Sequence, residues 1–98
     1  MASPTAPDDI AVSHNETEHR FEALVDGHLA ICEYQLHGQH MVFTHTFVPS
    51  QLRGRGIAQK LVDFALQFAQ AHERKVEPAC SFVAAHISRR PEYAHLVG

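Results

Sequence analysis

"VPSQLRGRGIAQKL", residues 48–61, lays two patterns end to end. An extended apolar run stops at Val48-Pro49, and Arg53-Gly54-Arg55-Gly56 then leads straight into a helical repeat. Between Leu52 and Ala58 there is no Ser, Thr, Asp or Asn to bond the first-turn N–H groups of that helix. Glycines there let the backbone adopt positive φ and let a ligand approach closely. The helix dipole favours an anion at this end by about 0.3–1 kcal/mol, and Arg53 or Arg55 can add charge-assisted bonds. A diphosphate therefore fits as the missing cap.

Two better-known phosphate loops do not fit. A Walker loop needs Gly-Lys-Ser/Thr after its last glycine, where this chain has Ile57-Ala58. A dinucleotide fingerprint needs Gly or Ala three positions after Gly56, where Gln59 stands. What is left is Gln51-x-x-Gly54-x-Gly56 between a strand and a helix, with basic side chains interleaved. Its bland alternative is an ordinary turn with solvated arginines.

On the C-terminal side, Ile57, Ala58, Leu61, Val62, Ala65, Phe68 and Ala69 recur at helical steps, giving a helix over 56–72. A short strand follows at about 76–80, interrupted by Pro78, which cannot donate to a ladder and so suits an edge. "SFVAAHISRR" reads as a second helix with Ser81 as its N-cap, and "PEYAHLV" as a further helical turn. On the N-terminal side the period is two. Phe21, Ala23 and Val25 share one face of a strand ending at Asp26-Gly27, a strong hairpin signal. Ala30, Cys32, Tyr34 and Leu36 share a face of the next strand, with Leu29 and Ile31 on the other. In a third strand, about 40–48, Met41, Phe43, His45 and Phe47 alternate with Val42, Thr44, Thr46 and Val48. Apolar residues on both faces imply a sheet covered at least partly from both sides. The order is β-β-β-α-β-α, an α/β (α+β) chain whose crossover makes the last strand parallel to the third.

Residues 1–18 are rich in Pro, Ser, Thr and acid and read as a flexible tail, leaving 19–98 as one domain. Ninety-eight residues with 45% apolar content suffice for a single core. Eight basic against eleven acidic side chains give a net charge of −3, which argues against a nucleic-acid partner. Nine histidines are scattered, with no metal-ligand spacing, so no metal is expected. Two cysteines are too few for a disulfide scaffold. No apolar stretch is long enough to span a bilayer and no signal-peptide order is present, so the expected location is cytoplasmic, without a membrane partner.

The loop pattern resembles the acetyl-CoA pyrophosphate loop of the GCN5-related N-acetyltransferases, Gln/Arg-x-x-Gly-x-Gly/Ala. Meander, loop, long helix and parallel strand together resemble the centre of that fold. "HTFVPSQLRGRGIAQKLVDFAL" followed by "VEPACSFVAAHISRRPEY" is similar to its small stand-alone YjdJ/NATD1-type subfamily over about residues 19–97. The resemblance implies a minimal acetyltransferase fold whose strands before the loop and after the long helix splay apart around a pantetheine arm. It further implies acetyl-CoA (CoA) as cofactor, bound by Phe47, Val48, Gln51, Arg53, Gly54, Arg55, Gly56, Ile57 and Ala58. The reaction it implies is acetyl transfer to an amine.

His45 and Cys80 are the candidate catalytic residues, the reactive side chains on the two splayed strands. Imidazole suits proton transfer near neutrality, and a thiol before a helix start is more acidic than usual. Each also has a packing alternative. Tyr93 is a weaker candidate for a general acid, and Glu33 for a supporting one. Full-length members of the superfamily carry helices between the first two strands, whereas Asp26-Gly27 joins these directly and leaves one wall of an acceptor pocket missing. The acceptor is then large and exposed, such as a protein lysine or N-terminus, or a second copy in a homodimer supplies the wall. The alternative is a CoA- or acyl-CoA-binding module with little turnover.

Overall fold

The computed structural model describes residues 10–98. Five strands, β1 (Ser13–Asn15), β2 (Arg20–Val25), β3 (His28–His37), β4 (His40–Phe47) and β5 (Lys75–Pro78), form one sheet in chain order. The first four are antiparallel, and β4–β5 is parallel because α1 (Ile57–Ala71) crosses between them. Helix α2 (Ser81–Arg89) and a 3-10 segment, Pro91–Leu96, close the chain. This is the α/β arrangement of a minimal acetyltransferase fold: an antiparallel meander followed by α-β-α with a parallel last strand.

The hairpins follow from their turn residues. Asp26 and Gly27 have φ of +50° and +79°, the two left-handed positions that a two-residue turn between twisted strands demands. The inner face of the sheet (Phe21, Ala23, Ala30, Cys32, Tyr34, Met41, Phe43) is buried against Ile57, Leu61, Val62, Ala65, Leu66 and Ala69 of α1. Val83 and Ile87 bring α2 into the same core. The two helices are joined directly, with His86 Nε2 2.7 Å from Asp63 Oδ1. The second face of the sheet is more open than its apolar residues suggested: Leu24 is 70% exposed and Phe47 45%. Strand β5 is last in the sheet order, with an isolated bridge to Val97 on its free side.

The structure differs from the sequence reading in several places; the last strand spans Lys75–Pro78 rather than 76–80, so Cys80 lies just beyond it. Ser13–Asn15, assigned there to the tail, pairs with Arg20–Glu22, and Ile10 is buried. Polar composition hid this strand because its anchor is one ring, His14, stacked on Phe21 at 4.3 Å. The rest of the expected tail, residues 1–9, lies outside the described residues. The α2 N-cap is Cys80, with Ser81 already the first helical residue. Most consequential is a β-bulge in β4. Glu33 pairs with His45 but Tyr34 pairs with Phe43, so Thr44 is the extra residue. One inserted residue reverses every later side chain. Thr46, opposite Cys32, faces the core with Phe43, while His45 and Phe47 project from the open face. His45 therefore does not share a face with Met41 and Phe43, as strict alternation had placed it. Among the described residues no helix is long and apolar enough to cross a membrane.

Candidate functional site

The bulge also ends the sheet locally. The β4–β5 ladder runs from His40↔Lys75 to Phe43↔Pro78 and stops. The Cys80 N–H still reaches the Phe43 carbonyl at 2.8 Å, but β5 then turns into α2 while β4 runs on to Phe47. Among the described residues, no strand lies beside that edge of β4 from Thr44 onward, and β4 and β5 diverge.

Beyond Phe47 the chain passes through a 3-10 turn, Ser50–Leu52, into the glycine loop. Gly54 and Gly56 have φ of +82° and +76°, the left-handed region that favours glycine. Gly56 is the N-cap of α1 and supplies no side chain, so no side-chain bond caps the first turn. That leaves the leading N–H groups of a fifteen-residue helix available to an outside acceptor. They open into a cleft of about 290 Å³ lined by Val48, Leu52, Arg53, Gly54, Gly56, Ile57, Ala58, Gln59 and Phe82. A second cleft of about 340 Å³ adjoins it, lined by Thr46, Phe47, Val48, Arg53, Ala58 and Phe82. Val48, Arg53, Ala58 and Phe82 belong to both, so the two form one trough from the glycine loop to the unpaired edge of β4.

The two arginines have different duties. Arg53 lines both parts of the trough and is steadied by its Nε donating to the Val48 carbonyl at 3.2 Å. Arg55 instead turns to the β2–β3 hairpin, where its Nη1 donates to Asp26 Oδ2 at 2.6 Å. Gln51 is exposed and lines neither cleft; its Oε1 accepts from Ser50 Oγ at 3.4 Å. Of the residues singled out for cofactor binding, Phe47, Val48, Arg53, Gly54, Gly56, Ile57 and Ala58 line the trough, whereas Gln51 and Arg55 do not.

The two candidate catalytic side chains lie on opposite sides of the divergence. Cys80 is on the core side, its Sγ 3.6 Å from Thr46 Oγ1. Burial pushes the Cys80 thiol up, but the Val83 amide, the Thr46 hydroxyl and the Phe82 and Thr46 amides outweigh it and hold the thiol below its ordinary value. Cys32 is more deeply buried, and although the same hydroxyl donates to its Sγ at 3.8 Å, burial outweighs that bond and pushes the thiol up to about 12. His45 stands exposed on the open face, opposite Glu33. Tyr93 is buried, with its hydroxyl 3.4 Å from Gln67 Nε2 on the far flank of α1.

Sequence reasoning missed Thr46 and Phe82. Phe82 roofs both parts of the trough and stacks on His86, ring centroids 6.3 Å apart and 15° from parallel. His86 is fixed in turn to Asp63, and Arg90 adds a looser contact to that carboxylate at 3.7 Å. The roof is thus tied through α2 back to α1. An aromatic in the first turn after the last strand was the available signal for Phe82. Nothing in the local pattern marked Thr46, because the bulge is invisible there.

Comparison with known proteins agrees with this geometry. The family described as GCN5-related N-acetyl-transferase matches residues 20–96, from the first residue of β2 to the end of the last 3-10 segment. Protein NATD1 of Bos taurus is 31% identical over 96 residues, covering 92% of this chain and 85% of its own length. Protein NATD1 of Homo sapiens is 31% identical over 85 residues, covering 84% of this chain and 75% of its own length. A sheet that opens after a bulge in β4, an uncapped helix behind two left-handed glycines and a match that spans both lead to one assignment: the chain belongs to the GCN5-related N-acetyltransferase family, as a small NATD1-type member.

Proposed function

We propose that the protein is an acetyl-CoA-dependent N-acetyltransferase acting on an exposed primary amine, such as a protein lysine. One observation carries this reading. The uncapped first turn of α1 opens into a trough that continues, without a break in its lining, to the point where β4 and β5 part. That trough suits two adjoining parts of the cofactor. Main-chain amides and Arg53 suit a diphosphate, and the apolar walls of Val48, Ala58 and Phe82 suit a pantetheine arm. Bound there, the cofactor supplies an activated acetyl thioester.

The chain's own groups then have separable tasks. A backbone N–H on the unpaired edge of β4, next to Phe47 and Val48, would suit a developing negative charge on a carbonyl oxygen. His45, on the open face, accepts the proton that an ammonium acceptor must lose before it can attack. Cys80, on the core side, holds its proton loosely and can give it to a departing thiolate. The acceptor approaches across the open face, where the direct Asp26–Gly27 hairpin leaves no wall to enclose a small molecule.

That missing wall also favours a second reading, a CoA-binding module with little turnover. Mass spectrometry of a lysine-peptide library incubated with the protein and acetyl-CoA separates the two. We expect peptides gaining one acetyl group, at a rate reduced by about 10²-fold or more in a His45→Ala, Cys80→Ala double variant. Transfer that survives the double change refutes the site assignment. Tight acetyl-CoA binding without transfer to any acceptor establishes the module instead.

A further inference from the structure

A separate cavity of about 230 Å³ lies at the other end of the sheet. Its wall includes Phe68, eleven residues beyond Ile57 on α1 and so about 16 Å along the helix from the glycine loop. Rings surround it. His14 stacks on Phe21 at 4.3 Å and meets Phe68 edge-on at 4.5 Å, and its Nε2 is 2.5 Å from the Tyr34 hydroxyl. His19 stacks on Tyr34 at 5.5 Å and 19°. Each ring is held by another, so the walls are flat and fixed.

The charged side chains are less well settled. Arg74 lines the cavity, and among the described residues its guanidinium has no ion-pair partner. Its Nε is buried with no acceptor, and buried donors left in that state are rare. Glu16 also lines the cavity.

We propose that this cavity binds a planar aromatic monocarboxylate, its ring among His14, His19, Tyr34 and Phe68 and its carboxylate paired with Arg74. The volume suits this: a cavity of about 150 Å³ already admits a benzene ring, so 230 Å³ leaves room for the acid group. A guanidinium pairs with a carboxylate through two parallel bonds. The Glu16 carboxylate repels a second negative charge, which disfavours a phosphate dianion. His14 does not supply a compensating cation, since burial holds its imidazole below the usual value and so neutral near pH 7. The site is independent of the acetyl-transfer reading.

The test is NMR titration of the full chain with benzoate, phenyl phosphate and benzamidine, following the ring signals of His14, His19 and Tyr34. Benzoate is expected to give saturable shifts, and the other two probes none at the same concentrations. Arg74→Gln is expected to weaken benzoate at least about tenfold, and Arg74→Lys by about threefold, the charge being kept and the fork lost. Arg74 is partly exposed, so both variants should fold, and Arg74→Lys alone suffices if the other does not. Signals of Gly54 and Gly56 are expected to stay unmoved. The proposal is overturned if benzoate gives no saturable shift, if either other probe binds as well, or if benzoate affinity is the same in the variants.

Discussion

Gly54 and Gly38 offer a matched pair of substitutions. Both have left-handed backbones, φ +82° and +62°, and a Cβ built on either meets nothing within 4 Å. One sits in the loop before α1, the other in the β3–β4 hairpin, outside the trough lining. Alanine in that region costs about 1–2 kcal/mol, partly offset by about 0.4–1 kcal/mol from a stiffer unfolded chain. Each variant should therefore lose about 1 kcal/mol, or roughly 4–8 °C in Tm for a domain of this size. Their ligand binding should differ. If the Gly54 backbone relaxes toward negative φ, the amides behind it swing away from the trough. Losing even one bond to a charged phosphate removes about 1.5–3 kcal/mol, at least tenfold in Kd. Urea unfolding and calorimetric titration with acetyl-CoA measure both quantities. We expect equal stability losses, at least tenfold weaker binding for Gly54→Ala, and less than about twofold for Gly38→Ala. Equal affinity in the two variants would show that the loop amides do not grip the cofactor.

Arg53→Ala should weaken acetyl-CoA by about tenfold, one charge-assisted contact, whereas Arg55→Ala, which removes the ion pair to Asp26, should change it less than about threefold and stability by only about 0.2–1 kcal/mol; calorimetry and urea unfolding check both. Cys80 should be alkylated by iodoacetamide with a rate rising with pH to a midpoint below that of a free thiol, while Cys32 stays inert in the folded chain; peptide mapping after timed quenching distinguishes them. Acid should destabilise the fold through His14: the unfolded chain takes up a proton near pH 6.5 that the folded ring resists, so this contribution is complete above that pH and is lost as pH falls through the lower folded value. Urea unfolding between pH 5 and 8 should show that slope, reduced in His14→Phe. Leu61→Ala, at a fully buried position of α1, should cost about 2–5 kcal/mol by the same assay.

How much of this was legible beforehand depended on the range of each interaction. The glycine loop was readable because a missing cap is a local fact, visible between Leu52 and Ala58. The Asp26-Gly27 turn was readable for the same reason. His45 was placed on the wrong face because "HMVFTHTF" alternates without a flaw, and only the partner strand decides that Thr44 is skipped. β1 escaped notice because three polar residues become a strand through a ring on Phe21, seven positions on from His14. Arg55 looked like a phosphate ligand until Asp26, twenty-nine residues away in sequence, was seen to hold it. Thr46 reaches the trough through tertiary placement alone, whereas Phe82 left a faint local trace as an aromatic in the first turn after the last strand.

The room for a ligand beside β4 exists because hydrogen bonds are missing there. Four residue pairs fasten β5 to the rest of the sheet, and beyond them the C-terminal quarter is secured by the Cys80–Phe43 backbone bond, side-chain packing and a few side-chain contacts such as Asp63–His86 and Gln67–Tyr93. Warming should therefore loosen that segment first, widening the slot before the meander melts. A molecule bridging loop and strand would act as a splint, making good the bonds the backbone left out.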